Sequence, residues 1–208
     1  MSSGREVSPL DRFFVSIPQM LVALLILIQS LALVVSGQAS ALDSRAERQR
    51  LLAEVRSQGH SGLYIVIDTQ TNRLQLRRGE DVLLEAVCAT GSGRTLKGKK
   101  RWHQWRFYTP QGRFSILRKE EDPLWIRPVW DFIENGEEIP IFAEDRRRFQ
   151  RGVLGEYALY FAPDYMIHGT LFEVNLGKSI THGCVRLGAD DLRYLYERVD
   201  VGCPVYIY

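Results

Sequence analysis

Between Phe13 and Val35 the chain runs for 23 residues without a charge, "FFVSIPQMLVALLILIQSLALVV", with Arg5 and Arg12 ahead of it. A segment that is apolar all round has no polar face to turn to water, so it is removed, held in lipid or packed in by protein on every side. The small residues "SGQASA" follow, and Ala39-Ser40-Ala41 fits the A-x-A pattern of a signal-peptidase site. The run is also long enough to cross a bilayer as a signal anchor, although Pro18, Gln29 and Ser30 interrupt it. A cleaved signal peptide and a retained anchor over residues 1–41 both stay open. A buried core helix would have no need of flanking arginines or a small-residue exit. Either main reading exports the rest of the chain, to the periplasm or the outer face of the cytoplasmic membrane.

Residues 42–61 form an expected short helical linker. Ser44 and Glu47 have capping-box spacing, Leu51, Leu52 and Val55 share a stripe, and Gly59 supplies the stop. From Gly62 to Tyr208 the period changes to that of strands. "LYIVIDTQTNRLQLRR" is strand, polar turn around Thr71-Asn72, and alternating strand. "DVLLEAVCATGSG" is a third strand, in which Gly91 and Gly93 are turn glycines, since no P-loop lysine follows them. "WRFYTPQGRFSILRK" is strand, bend and strand, Glu121 to Pro140 is a long ordered loop or covering flap, and Tyr157 to Ile167 is strand again. "ADDLRYLYERV" is helical, with Leu192, Leu195, Tyr196 and Val199 on one side, and "PVYIY" closes the chain as a strand. The expectation is a mainly β, single catalytic domain over 62–208.

A net charge of +2 is too small to suggest nucleic-acid binding, and no basic block interleaved with aromatics stands out. "DRRRF" at 145–149 is taken as the densest basic run and as a solvated face. Export makes the three cysteines an odd set in a compartment that permits disulfides, with Cys88 and Cys203 a possible pair if Cys184 is reactive.

The chemistry concentrates in "MIHGT", 166–170, and "THGCVRL", 181–187. A thiol with an ordinary pKa is only a few per cent thiolate near neutrality, so a nucleophilic cysteine needs a base or an electropositive pocket. His182 lies two residues before Cys184, and His168 ends an apolar strand from which its ring can enter a cleft. No aspartate adjoins either histidine, which leaves a backbone carbonyl to orient the base. Amides around the Gly-Cys turn could form an oxyanion hole. A zinc site from His168, His182 and Cys184, or an inert cysteine, are the rivals. His60 and His103 sit in turn-like, charged surroundings and are taken as exposed bystanders.

"HGT", ten residues, then "THGCVRL" resembles the active-site signature of the L,D-transpeptidase (YkuD-type) family. "YIVIDTQTNRLQL", "TPQGRFSI", "DPLWIRPVW", "LGEYALYF" and "VGCPVYIY" fall in family order as well. The resemblance implies a β-sandwich-like catalytic domain with a small helical contribution, preceded by the N-terminal hydrophobic helix. It implies Cys184 as nucleophile, His168 as general base and acid, and the Gly169 carbonyl orienting that base. His182 and Gly183 would shape the pocket and oxyanion site, with Arg186 and Thr181 meeting substrate. An ion pair of purely structural role for Arg186 remains open. The implied reaction is acyl transfer on peptidoglycan tetrapeptide stems, with D-alanine released and an amine, from a second stem or an envelope protein, accepting. Water as acceptor would give an L,D-carboxypeptidase, and a non-catalytic wall-binding module is the alternative. No metal or organic cofactor is implied, and the membrane is a partner if the N-terminal segment is retained.

Overall fold

The computed structural model describes residues 62–208, together with Gln29, Ala46, Gln49, Arg50 and Ala53. The expectations for residues 1–61 otherwise lie outside the described residues, as does His60. Among the described residues no helix is long and apolar enough to cross a membrane.

Strand β1 (Leu63–Asp68) and β2 (Arg73–Arg78) form the expected hairpin, and β3 (Asp81–Val87) adds to its outer side. Asn72 closes the β1–β2 turn with φ of 53°, a conformation its short polar side chain tolerates. The last strand, β15 (Pro204–Ile207), enters beside β1 in parallel, with Ile65 opposite Val205 and Ile67 opposite Ile207. It also pairs antiparallel with β7 (Gly112–Ser115), which makes the sheet order β3-β2-β1-β15-β7. Nothing in the sequence assigns "PVYIY" to the middle of this sheet. Its burial there explains the unbroken apolar character of "VYI".

A second sheet has the order β14-β12-β11-β8, from β8 (Arg118–Glu121), β11 (Tyr157–Ala162), β12 (Tyr165–His168) and β14 (Val185–Arg186). The strand character expected from Tyr157 to Ile167 is carried by two strands, folded back at Pro163-Asp164, where Asp164 has φ of 39°. Ile65, Leu76 and Val205 of the first sheet join Leu159, Ile167 and Val185 of the second in one core. Leu192, Leu195 and Val199 of the late helix (Ala189–Arg198) complete it. Each fully buried leucine here contributes roughly 1.5–3 kcal/mol relative to exposure. Across the other face of the first sheet, Tyr64, Val66 and Tyr206 make a smaller cluster. The mainly β sandwich with few helices is as expected.

Other local expectations are revised. Gly91 is a strand residue in β4 (Thr90–Gly91), where a Cβ would come within 2.5 Å of the Thr109 nitrogen; Gly93, with φ of 70°, lies in the irregular segment that follows. The strands of "WRFYTPQGRFSILRK" do not pair with each other. β6 (Gln104–Arg106) pairs with β5 (Thr95–Lys97), and β7 joins the main sheet. The 121–140 segment contains β9 (Trp125–Ile126) and a short helix, Val129–Glu134. This flap has its own anchor. Buried Arg127 pairs with Asp131 at 2.5 Å and with Glu137 at 2.8 Å, and lies over the fully buried Phe132 ring. The basic run at 145–149 braces the same unit: Arg147 pairs with Asp145, and Arg148 donates to the Pro140 carbonyl at 2.6 Å. It is therefore partly structural, and more than a solvated face.

Candidate active site

β12 and β14 run parallel, with Ile167 opposite Val185 and His168 opposite Arg186. Side chains alternate between faces along a strand, so Ile167 and Val185 enter the core while His168 and Arg186 take the other face. Cys184, one residue before Val185, belongs to the same face. All three line a cleft of about 940 Å³ that also takes in Trp125, Trp130 and Tyr165.

The loop that presents Cys184 is held from several directions. β13 (Ser179–Thr181) pairs with β4, and behind them Asn72 donates to the Gly177 carbonyl and receives the Thr90 hydroxyl at 2.5 Å. Gly183 has φ of 129°, and a Cβ on it would stand 2.7 Å from the Tyr165 ring and 2.9 Å from the Tyr108 carbonyl oxygen. Only glycine fits there. Thr109 donates to the Gly183 carbonyl at 2.8 Å while accepting the Gly91 amide at 2.8 Å. Thr181 is buried, accepts the Gly183 N–H at 3.1 Å and donates to the Cys184 carbonyl at 2.6 Å. The Gly183 amide is thereby occupied within the loop. The Cys184 N–H has no protein acceptor among the described residues.

Cys184 is half-buried, and its thiol points to the Asp164 carbonyl at 3.7 Å. Desolvation raises its pKa above that of a free thiol, while the Met166 amide and the Arg186 cation oppose the rise. His168 is 3% exposed and its pKa falls to about 4, first through burial and then through the Arg186 charge. The carbonyls of Gly169 and Leu154 pull the other way, but Nδ1 has no hydrogen-bond partner of ordinary geometry. Desolvation also lowers the Arg186 pKa. At neutral pH the resting pair is thus thiol and neutral imidazole, beside a guanidinium with no acidic partner among the described residues.

His182 has a different setting. Its ring stacks on Trp130 with centroids 4.1 Å apart and meets the edge of Phe107 at 4.4 Å, and its Nε2 lies 2.5 Å from Glu134 Oε2. No residue near His182 in the sequence signals this partner, because Glu134 is 48 positions away on the flap helix. Thr109, Trp130 and Asp164 are other site residues to which the sequence assigned no role, although "TPQGRFSI" begins with the first and "DPLWIRPVW" ends with the second. A zinc site would need His168, His182 and Cys184 on one ion, but His182 Nε2 is directed at Glu134, and among the described residues no three metal-ligating side chains cluster. Cys88 and Cys203 are both free and buried, so the possible pair is not formed. His103 is half-buried between Trp102 and Trp105, not a free-standing surface residue.

Comparison with known proteins gives a consistent picture. The model of the YkuD family, described as an L,D-transpeptidase catalytic domain, matches residues 62–207. The probable L,D-transpeptidase ErfK/SrfK of Escherichia coli K12 is 33% identical over 96 residues, which is 45% of this chain and 30% of that protein. YqjB of Bacillus subtilis 168 is 28% identical over 145 residues, 69% of this chain and 70% of that protein. The match spans less than a third of the length of ErfK/SrfK. The crystal structure of the L,D-transpeptidase from Xylanimonas cellulosilytica superposes with a TM-score of 0.52 at 22% identity, covering 72% of this chain and 61% of that one. At that identity the likeness establishes the fold.

Proposed function

Because the chain belongs to the L,D-transpeptidase (YkuD) catalytic-domain family, we propose that it is a cysteine acyltransferase acting on the tetrapeptide stems of peptidoglycan. The observation that carries the reading is the common face of Cys184, His168 and Arg186 at the cleft, on two parallel strands.

Neutral His168 takes the thiol proton as Cys184 Sγ attacks the carbonyl of the third stem residue at its L-centre. A proton held on Nδ1 towards the Gly169 and Leu154 carbonyls leaves Nε2 as the base. The oxyanion that forms is received by the Cys184 N–H, the amide the loop leaves unused, and by the field of Arg186. Collapse of the tetrahedral species breaks the amide bond, and His168 returns its proton to the departing D-alanine nitrogen. An amine then attacks the thioester, losing its proton to His168, and Cys184 leaves as thiolate and is reprotonated. With a stem amine the product is a 3→3 cross-link, with a protein amine an attachment, and with water a tripeptide.

Arg186 positions a substrate carboxylate, a role supported by its partly desolvated guanidinium, which has no acidic partner among the described residues. Thr181, its hydroxyl engaged at both ends, acts by holding the loop against which substrate lies. The domain works outside the cytoplasmic membrane, a placement supported by the uncharged run from Phe13 to Val35. The test is mass spectrometry of tetrapeptide muropeptides incubated with the full chain and with Cys184→Ala. Release of D-alanine by the wild type alone supports the reading, and dimer or tripeptide identifies the acceptor. Binding without release by a folded protein would favour a wall-binding module instead.

A further inference from the structure

The densest positive charge is not at 145–149 but on the β5–β6 hairpin, "RTLKGKKRWHQWR", where cations do interleave with aromatics. Between Glu85 and Glu120 the sequence contains no acidic residue at all. In the register Thr95–Arg106, Leu96–Trp105 and Lys97–Gln104, Leu96 and Trp105 are half-buried while Lys97 and Arg106 face outward. Lys99, Lys100 and Arg101 crown the turn, beside Trp102, which is 75% exposed. None of the cations Arg94, Lys97, Lys99, Lys100, Arg101 and Arg106 forms an ion pair among the described residues; Lys100 lies only over the Trp102 ring, 5.6 Å from its centre.

The hairpin is also firmly seated. A Cβ on Gly98 would come to 3.0 Å from Ile133 Cδ1 of the flap helix and 2.7 Å from the His103 Cβ, so the turn packs closely on that helix. Its base reaches the catalytic cleft, since Trp105 and Arg106 line the same cavity as Cys184. A stripe of unneutralised charge therefore runs from the cleft wall outward to an exposed tryptophan.

We propose that the β5–β6 hairpin is a docking edge for the peptidoglycan polymer, its cations taking the free carboxylates of stem peptides outside the reacting one. The proposal rests on the acyl-transfer reading for the identity of the polymer. Charge complementarity and continuity with the cleft favour this partner: a strand with one stem in the cleft must continue along a neighbouring wall, and this wall is cationic. An anionic membrane surface fits less well, because Trp102 is the only large apolar side chain exposed on the hairpin.

The experiment is co-sedimentation of the full chain with sacculi freed of teichoic acid, at low and high salt, beside vesicles of anionic phospholipid. The variant K97Q/K99Q/K100Q/R101Q, all at exposed positions, is compared with the wild type. Four exposed charge contacts of ordinary strength together change affinity by about tenfold. The expected result is salt-sensitive binding of the wild type to sacculi, weakened about tenfold in the variant, with an unchanged rate of Cys184 acylation by a carbapenem. Equal sedimentation of the two proteins overturns the proposal, and so does wild-type binding to vesicles in preference to sacculi. Failure of the wild type to release D-alanine from a soluble tetrapeptide would count against the acyl-transfer reading, separately from the sacculus result.

Discussion

Glu134 Oε2 meets His182 Nε2 at 2.5 Å, joining the flap helix to the residue two positions before the candidate nucleophile. Trp130, one turn earlier on that helix, stacks on the same imidazole, so the ring is fixed in plane and in rotation. The flap is in turn fixed by Arg127 on Asp131 and Glu137. Through His182 this rigid unit sets the backbone that enters the Gly183 turn.

Glu134→Ala should therefore slow carbapenem acylation of Cys184 by about tenfold, the loss expected from one misplaced but intact reacting group. A partly exposed pair contributes at most about 1 kcal/mol to stability, so the melting temperature should move little. Glu134→Gln, which keeps an acceptor for His182, should restore most of the rate. Stopped-flow acylation measures all three proteins, and a wild-type rate for Glu134→Ala would remove the positioning role.

Stability should fall on the acid side of neutrality because of His168. Its folded pKa of about 4 lies below the unfolded value of about 6.5, so the unfolded chain binds the proton more readily. The favourable contribution is complete above pH 6.5 and declines as pH falls towards 4, by up to about 3 kcal/mol. Urea unfolding of wild type and His168→Gln between pH 4 and 7.5 checks this, the variant having the shallower dependence. Parallel curves would mean that the imidazole is not held neutral by the fold.

Gly155 and Gly169 press together beside His168. A Cβ on Gly155 would stand 2.8 Å from the Gly169 Cα, and Gly155 has φ of 74°. Gly155→Ala should cost about 1–3 kcal/mol in stability and slow acylation by displacing the end of β12. Chemical denaturation and carbapenem kinetics on the same protein separate the two effects. Wild-type stability would show that the β12 end shifts without strain.

The three thiols should differ sharply in reactivity. Burial pushes Cys88 up to about 12 and Cys203 up to about 11, whereas Cys184 opens onto the cleft. Maleimide at pH 7.5 should label Cys184 alone in the native chain, and all three after denaturation. Peptide mapping reads the sites, and native labelling at Cys203 would show local opening of the β15 end.

The β1–β2 hairpin and the late helix were legible because each is a local pattern, an alternation or a helical stripe, that a dozen residues carry by themselves. Cys184 and His168 were legible for a related reason, since both lie in short runs whose residue types have few other uses. The hairpin cations were equally local yet were passed over. A net charge of +2 averages them against acids placed elsewhere, and only the fold shows that none of them pairs with an acid among the described residues.

What the sequence determined by itself is the strand-rich domain after Gly62, the apolar run before it, and the pair of short motifs that hold Cys184 and His168. Tertiary structure alone decided that β15 lies parallel to β1, that Arg186 faces His168 across two strands, and that Glu134 reaches His182. The reason is physical. A side chain's period is set by its own backbone, but its partner is set by packing between segments far apart in the chain, and that pairing leaves no trace in either segment's own pattern.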